Sequence, residues 1–236
     1  MPTFVLVHGG YHGGWCFERL IDVLARRGHA SIAPDLPIDD PDAGYEQYAD
    51  AVIEAMDGID PAEDVVLVGH SLGCYVVPLV ASRRSARHMV FLCAVPAAPN
   101  EPLPMDATSI LTDDLVNVTY FVDAAGRTMQ TPASFENLFY RDLAPADAAW
   151  AIRRLRPQGG RPLVEPWPLE AWPDVDTRFL LCRDDRLLPS DFLRRVVRER
   201  LGFAPDEIEG GHCVALSRPK ELAERLDAYW ASRDQR

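Results

Sequence analysis

The stretch that most narrows what this chain can fold into is Gly69-His70-Ser71-Leu72-Gly73. It closes the apolar run Asp64-Val65-Val66-Leu67-Val68, which suits a strand buried on both faces, and it opens a helical pattern that runs through the Arg83 region. A serine between a strand and a helix sits on a sharp turn, so the residues two positions away on either side must be small. Gly69 and Gly73 meet that need. Such a turn exposes the Ser71 hydroxyl above a sheet edge and leaves the Leu72 N–H at a helix N-terminus, aimed where an oxyanion would form. The pentapeptide alone also arises by chance in loops; the flanking strand and helix give it weight. The turn directs His70 away from the serine, so His70 is not a plausible base.

Around this turn, strand and helix signals alternate. Thr3 to Val7 is a short apolar run that stops at His8-Gly9-Gly10. Phe17, Leu20, Ile21, Leu24 and Ala25 then recur with a helical period, which Gly28 ends. A strand at Ala30–Ala33, a helix carrying Tyr45, Ala49, Val52, Ile53 and Met56, and a strand from His88 to Ala94 continue the rhythm. It implies a mostly parallel α/β sheet with helices on both faces. From about Val95 to Asp174 the rhythm breaks into a Pro- and Ala-rich region with many aromatics. Ser134–Tyr140 and Ala144–Arg156 have helical patterns, with Pro-rich hinges near 96–104 and 157–173. A structureless loop of that length is improbable, so the region is expected to be a small, mostly helical cap insertion over residues 96–174, with 1–95 and 175–236 forming the core. The rhythm resumes with a strand at Thr177–Cys182, a helix after Ser190, a short strand at Asp206–Glu209 and a helix started by Pro219.

Composition excludes several classes of function. A formal net charge of −12 disfavours nucleic acid as a partner, because phosphate would be repelled. No apolar run approaches the ~20 residues of a membrane helix, so no membrane partner is expected. The five cysteines, 16, 74, 93, 182 and 213, follow no metal or disulfide framework. They are expected to be free thiols in a reducing compartment. With a strand beginning almost at Met1 and no signal peptide before it, a cytoplasmic protein is expected. Monomer and homodimer both remain open.

Three segments at predicted C-terminal strand ends carry chemistry, and open α/β sheets bind ligands at that edge. Ser71 is the first. The second is His8-Gly9-Gly10-Tyr11-His12-Gly13-Gly14-Trp15, where the Gly10 N–H is a candidate second oxyanion donor and His8 and His12 read as structural hydrogen-bonding residues. The third is split. Asp184-Asp185 follows one strand and Gly210-Gly211-His212 follows the last. A serine is a poor nucleophile until a histidine takes its proton, and that histidine needs a carboxylate to fix its tautomer. Serine, acid, then histidine is the chain order this arrangement takes on such sheets. Of the six histidines only His212 lies late in the chain on a glycine-rich turn; His29 and His88 look like solvent-edge residues before strands. One of Asp184 and Asp185 should face the site while the other caps the turn.

With these motifs in place, the chain resembles the α/β-hydrolase superfamily over nearly its whole length. Within it, the chain is similar to the branch of plant hydroxynitrile lyases, methyl salicylate-type esterases and their bacterial relatives. The resemblance implies that the aspartate four residues before Pro189, Asp185, is the triad acid, and it supports Gly10 as oxyanion donor. Lyases of that branch carry a threonine where this chain has Gly9 and a lysine where it has Cys213, so the resemblance favours ester hydrolysis over cyanohydrin cleavage. The expected function is therefore a serine carboxylesterase that works through an acyl-enzyme on a small-molecule ester, with no metal or organic cofactor. The aromatic-rich insertion suggests an apolar or aromatic substrate, with Tyr11 and Phe121 as candidate contacts, although aromatics at helical spacing are more often core than pocket. The rivals are a lyase or other C–C-cleaving enzyme using the same triad, and a non-catalytic ligand-binding receptor on the same fold.

Overall fold

The computed structural model describes residues 1–102 and 118–232. The strands are β1 (Thr3–Val7), β2 (Ala30–Ile32), β3 (Val65–His70), β4 (His88–Leu92), β5 (Tyr120–Val122), β6 (Thr128–Gln130), β7 (Asp176–Cys182) and β8 (Asp206–Ile208). The helices are α1 (Glu18–Arg26), α2 (Tyr45–Ala55), α3 (Gly73–Ala81), α4 (Pro132–Leu138), α5 (Pro145–Ile152), α6 (Arg161–Val164), α7 (Ser190–Leu201), α8 (Val214–Ser217) and α9 (Pro219–Ala231). Six strands form one sheet in the order β2-β1-β3-β4-β7-β8, with every pairing parallel.

The apolar strand runs are explained by two cores, one on each face. Side chains alternate along a strand, so Phe4 and Leu6 feed one core while Val5 and Val7 feed the other. The same division recurs on β3, where Val66 and Val68 oppose Val65 and Leu67, and on β7, where Leu180 and Cys182 oppose Phe179 and Leu181. Helices α1 and α9 cover the first face with Leu20, Leu24, Leu222 and Leu226. Helices α2, α3 and α7 cover the second with Tyr48, Val52, Val77 and Val197. The expected α/β sheet with helices on both faces is what the chain forms.

The strand order positions the site. The chain leaves β1 for β2 on one side and returns to β3 on the other. The crevice beyond the C-terminal ends of β1 and β3 is thus a topological switch point, where sheets of this kind bind ligands. His8-Gly9-Gly10 and Ser71 lie on the two sides of that crevice.

The segment after β4 differs in detail from its sequence pattern. Its helices α4 and α5 fall close to the expected 134–140 and 144–156, and a third, the four-residue α6, lies inside the expected hinge at 157–173. Between β4 and α4 there is also an antiparallel hairpin, β5 with β6, pairing Phe121 with Met129. Each strand has three residues and β5 is exposed throughout, which is too short and too open for alternation to register in the sequence. Residues 103 and 104 of the expected first hinge lie outside the described residues. The segment has no core of its own among the described residues. Phe135, Leu138, Phe139 and Tyr140 join the core with α1, while Trp167 joins the other and donates its indole N–H to the Tyr75 carbonyl at 2.8 Å.

Two histidines depart from expectation. His29 and His88 are buried rather than at a solvent edge, 6% and 2% exposed, and each lies beside a carboxylate: His29 Nε2 is 2.6 Å from Asp227, and His88 Nδ1 is 3.1 Å from Asp176. His88 begins the interior strand β4, and the His29 ring packs edge-on to Phe4 at 5.2 Å and Trp230 at 5.9 Å, so position at or before a strand does not imply exposure.

Candidate active site

Ser71 occupies the two-residue turn between β3 and α3 with φ +52, a left-handed conformation that non-glycine residues rarely adopt. Its N–H donates to the Leu92 carbonyl at 3.0 Å, which ties the turn to the end of β4. The glycines on either side are required by backbone contact. A Cβ on Gly69 would lie 2.7 Å from the Gly73 carbonyl oxygen, and one on Gly73 would lie 2.2 Å from that of Val7. The turn can therefore close only with glycine at both places. The Leu72 N–H then stands at the start of α3, where the helix dipole favours negative charge.

The loop after β1 packs directly on this turn. A Cβ on Gly9 would come within 2.8 Å of the Ser71 Cβ and 3.4 Å of its Oγ. Two histidines hold the loop. His8 is fully buried; its Nδ1–H donates to the Gly9 carbonyl at 2.8 Å, and its Nε2 accepts the Leu36 N–H at 2.9 Å. Burial lowers its pKa to about 4, so it stays neutral. His12 donates through Nδ1 to the Gly10 carbonyl at 2.7 Å and accepts the Tyr140 hydroxyl at 2.8 Å through Nε2. Burial lowers its pKa to about 3. Both have their ring nitrogens occupied in the neutral form, as structural residues should.

His212 and Asp185 come together at the ends of β8 and β7. The His212 Nδ1–H donates to Asp185 Oδ2 at 2.7 Å, with both side chains fully buried. Asp185 is itself fixed, because its Oδ1 accepts the Leu187 and Leu188 N–H groups at 2.8 and 3.0 Å. The pair is next to the serine turn: the His70 Nε2–H donates to the His212 carbonyl at 2.9 Å, and the two rings are 4.8 Å apart. Burial and the neighbouring His212 keep the His70 pKa well below its ordinary value, so His70 stays a neutral prop. The His212 Nε2, the atom that would serve as base, has no hydrogen-bond partner among the described residues. Asp184 takes the turn-capping role, its Oδ2 accepting the Gly210 N–H at 3.1 Å.

Of the expected substrate contacts, Tyr11 lies at the site's edge with φ +65, its ring 5.3 Å from Phe135 and its hydroxyl 3.2 Å from Thr128 Oγ1. The structure does not bring Phe121 there; it is 57% exposed on the hairpin and joins no ring contact among the described residues. Four residues of the segment between β4 and β7 also reach the site, and none carries a site signal in the sequence. Asp142 accepts the Gly211 N–H at 2.8 Å, directly beside His212. The Phe139 ring packs edge-on to His212 at 5.3 Å, and Tyr140 holds His12. Gln158 lies against Gly10. Nothing in the local pattern around Asp142 distinguishes it from any acidic loop residue; Gln158 precedes a Gly-Gly pair that marks only a turn. Among the described residues no cluster of His, Cys, Asp and Glu could hold a metal ion, and no helix is long and apolar enough to cross a membrane.

A crossed-over parallel sheet with a strained serine at its switch point and a buried His–Asp pair on the same edge defines a class of protein, and the chain belongs to it: it is a member of the alpha/beta hydrolase family, whose model matches residues 4–225. Among known proteins, the chain is 27% identical to a carbendazim hydrolyzing esterase of Nocardioides sp. (strain SG-4G), over 97% of this chain and 99% of that one. It is 26% identical to an alpha-hydroxynitrile lyase of Arabidopsis thaliana, over 95% of each. Among solved structures it shares the fold of polyneuridine aldehyde esterase, with a TM-score of 0.82 at 23% identity, covering 98% of this chain and 99% of that one.

Proposed function

We propose that this chain is a serine carboxylesterase that cleaves a small apolar or aromatic ester. The observation that carries the reading is the buried His212–Asp185 pair, whose base nitrogen is unpartnered among the described residues beside a serine held at φ +52. In this reading Ser71 Oγ attacks the ester carbonyl while His212 Nε2 takes its proton, and Asp185 holds the Nδ1–H and stabilises the imidazolium. The N–H groups of Gly10 and Leu72 hold the oxyanion. His212 returns the proton to the leaving alcohol. Water then attacks the acyl-enzyme by the same route and frees the acid and Ser71. Residues 96–174 act as a cap on a core of 1–95 and 175–236. The five free, buried cysteines support a reducing compartment, and cytoplasm is our reading of it.

Two positions favour hydrolysis over the lyase reaction. A side chain at residue 9 would collide with Ser71 Cβ at 2.8 Å, so the threonine expected of the lyases does not fit this loop as it stands. Cys213, where those enzymes are expected to carry a lysine, is buried and offers no positive charge to a departing cyanide.

Ser71→Ala is expected to lower kcat on a p-nitrophenyl ester by roughly 10⁴–10⁶-fold, the scale of triad removals in serine hydrolases. A fluorophosphonate should label Ser71 in the unmodified enzyme. Retained turnover by the variant would overturn the serine mechanism. Absence of labelling would point to a ligand-binding module, and release of cyanide from a cyanohydrin without ester hydrolysis would point to a lyase.

A further inference from the structure

Gln158 is 1% exposed and is held at three places. Its backbone is bridged to β6, with Thr128 N–H donating to the Gln158 carbonyl at 2.8 Å and Gln158 N–H to the Thr128 carbonyl at 2.9 Å. Its amide nitrogen donates to the Tyr48 hydroxyl and to the Gly159 carbonyl, each at 3.0 Å. The second partner settles which way the amide faces. A backbone carbonyl can only accept, so the NH₂ must face Gly159 and the Oε1 must face the other way.

That other direction is toward the reacting edge. A Cβ on Gly10 would lie 3.2 Å from Gln158 Oε1, so the oxygen lies against the residue whose N–H is the candidate second oxyanion donor. Oε1 is buried and has no hydrogen-bond partner among the described residues. A buried acceptor without a donor is costly, and a ligand that brings a donor recovers that cost. Glycine at position 10 matters here, because any larger residue would press on this oxygen.

We propose that Gln158 is a specificity-determining residue that selects acyl groups carrying an O–H or N–H donor next to the ester carbonyl, with Oε1 accepting that hydrogen bond. The inference rests on the esterase reading above. In this proposal the ester carbonyl oxygen is held at the Gly10 N–H, and the contact between position 10 and Oε1 puts the α-substituent of the acyl group on the Gln158 side. A donor there is bound. An ether oxygen at the same place meets the lone pairs of Oε1 and is repelled, although it activates the carbonyl inductively much as a hydroxyl does. Sites built to pair with a substrate hydroxyl discriminate strongly against analogues that lack it, because the site's own polar group is left unpaired.

The test compares kcat/KM for three methyl esters of 3-phenylpropanoic acid: unsubstituted, 2-hydroxy and 2-methoxy. The wild-type enzyme is expected to prefer the hydroxy over the methoxy ester by roughly tenfold or more. In Gln158→Met, which keeps side-chain length and removes the acceptor, that ratio should fall to near one. A role confined to folding would change all three rates and leave their ratio alone. A ratio unchanged by Gln158→Met overturns the assignment. Should the variant not fold, a wild-type ratio near one overturns it equally. In both cases hydrolysis itself leaves the esterase reading standing. An enzyme that hydrolyses none of the three and resists labelling at Ser71 overturns that reading and this inference with it.

Discussion

The strand-edge residues and the segment over them are held in opposite ways. At the edge, backbone packs on backbone: Gly73 against Val7 and Gly69 against Gly73 and Cys74, with no room for a side chain between them. The overlying segment reaches the same place through side-chain tips, as Asp142 does to Gly211, Tyr140 to His12, Phe139 to His212 and Gln158 to Gly10. Backbone packing has few solutions and tolerates little change. Side-chain tips can be exchanged one at a time without moving the sheet. We infer that the reaction is built into the first kind of contact, and the choice of substrate into the second.

That contrast predicts a steep gradient of mutational effect. The largest belongs at the edge. Asp185→Asn keeps the shape of the carboxylate, but its Oδ2 counterpart can no longer fix the His212 tautomer, and kcat should fall by about 10⁴-fold with KM little changed. Steady-state kinetics on a p-nitrophenyl ester, with a melting curve to show that the fold persists, checks this. A loss of under tenfold would mean that Asp185 does not orient the base, and Asp184 would become the candidate acid.

One step outward, Asp142→Ala removes the acceptor of the Gly211 N–H from an exposed loop residue. A single hydrogen bond of this kind contributes about 1–1.5 kcal/mol, so kcat/KM should fall by roughly tenfold as the His212 loop loosens. A fall as large as that of Asp185→Asn would erase the distinction drawn between edge and overlying segment. No fall at all would confine the segment to covering the site.

The same contrast explains what could be read before the fold was known. Contacts between backbones leave marks in a sequence, because they demand glycine and set chain order. Gly69, Gly73, Ser71 and His212 were all legible for that reason, as was the parallel sheet, whose strands are apolar on both faces. Asp184 and Asp185 could not be separated by chemistry alone, since two adjacent carboxylates on one turn differ only in direction; the resemblance to known relatives favoured Asp185, the residue that faces His212. Contacts through side-chain tips leave no local mark. Asp142 is 69 residues from its partner Gly211, and Tyr140 is 128 from His12. Phe121 drew attention as an aromatic in the right region, yet the hairpin carries it into solvent, while the less conspicuous Phe139 packs on His212. The position of an aromatic within such a segment says little until the segment's turns are known.

His12 joins the two kinds of region, donating to the Gly10 carbonyl below and accepting from Tyr140 above. It can do both only when neutral, and burial holds its pKa at about 3. In the unfolded chain a histidine titrates near 6.5. As pH falls below that value the unfolded state takes up a proton that folded His12 refuses, so the unfolded state gains. The stability that His12 confers is therefore complete above about pH 6.5 and is lost as pH falls toward its folded pKa of about 3. The slope is about 1.4 kcal/mol per pH unit for each such histidine once the unfolded form is charged. From pH 7 to 5.5 this amounts to about 1 kcal/mol, the smallest effect considered. His12→Gln lowers stability at every pH by disturbing the packing, but it should remove one proton's share of the slope. Urea midpoints of the two proteins across pH 7 to 5.5 measure the difference. Equal slopes would mean that folded His12 takes up the proton. Tyr140 could then no longer donate to it, and the overlying segment would not be tied to the Gly10 loop by this bond.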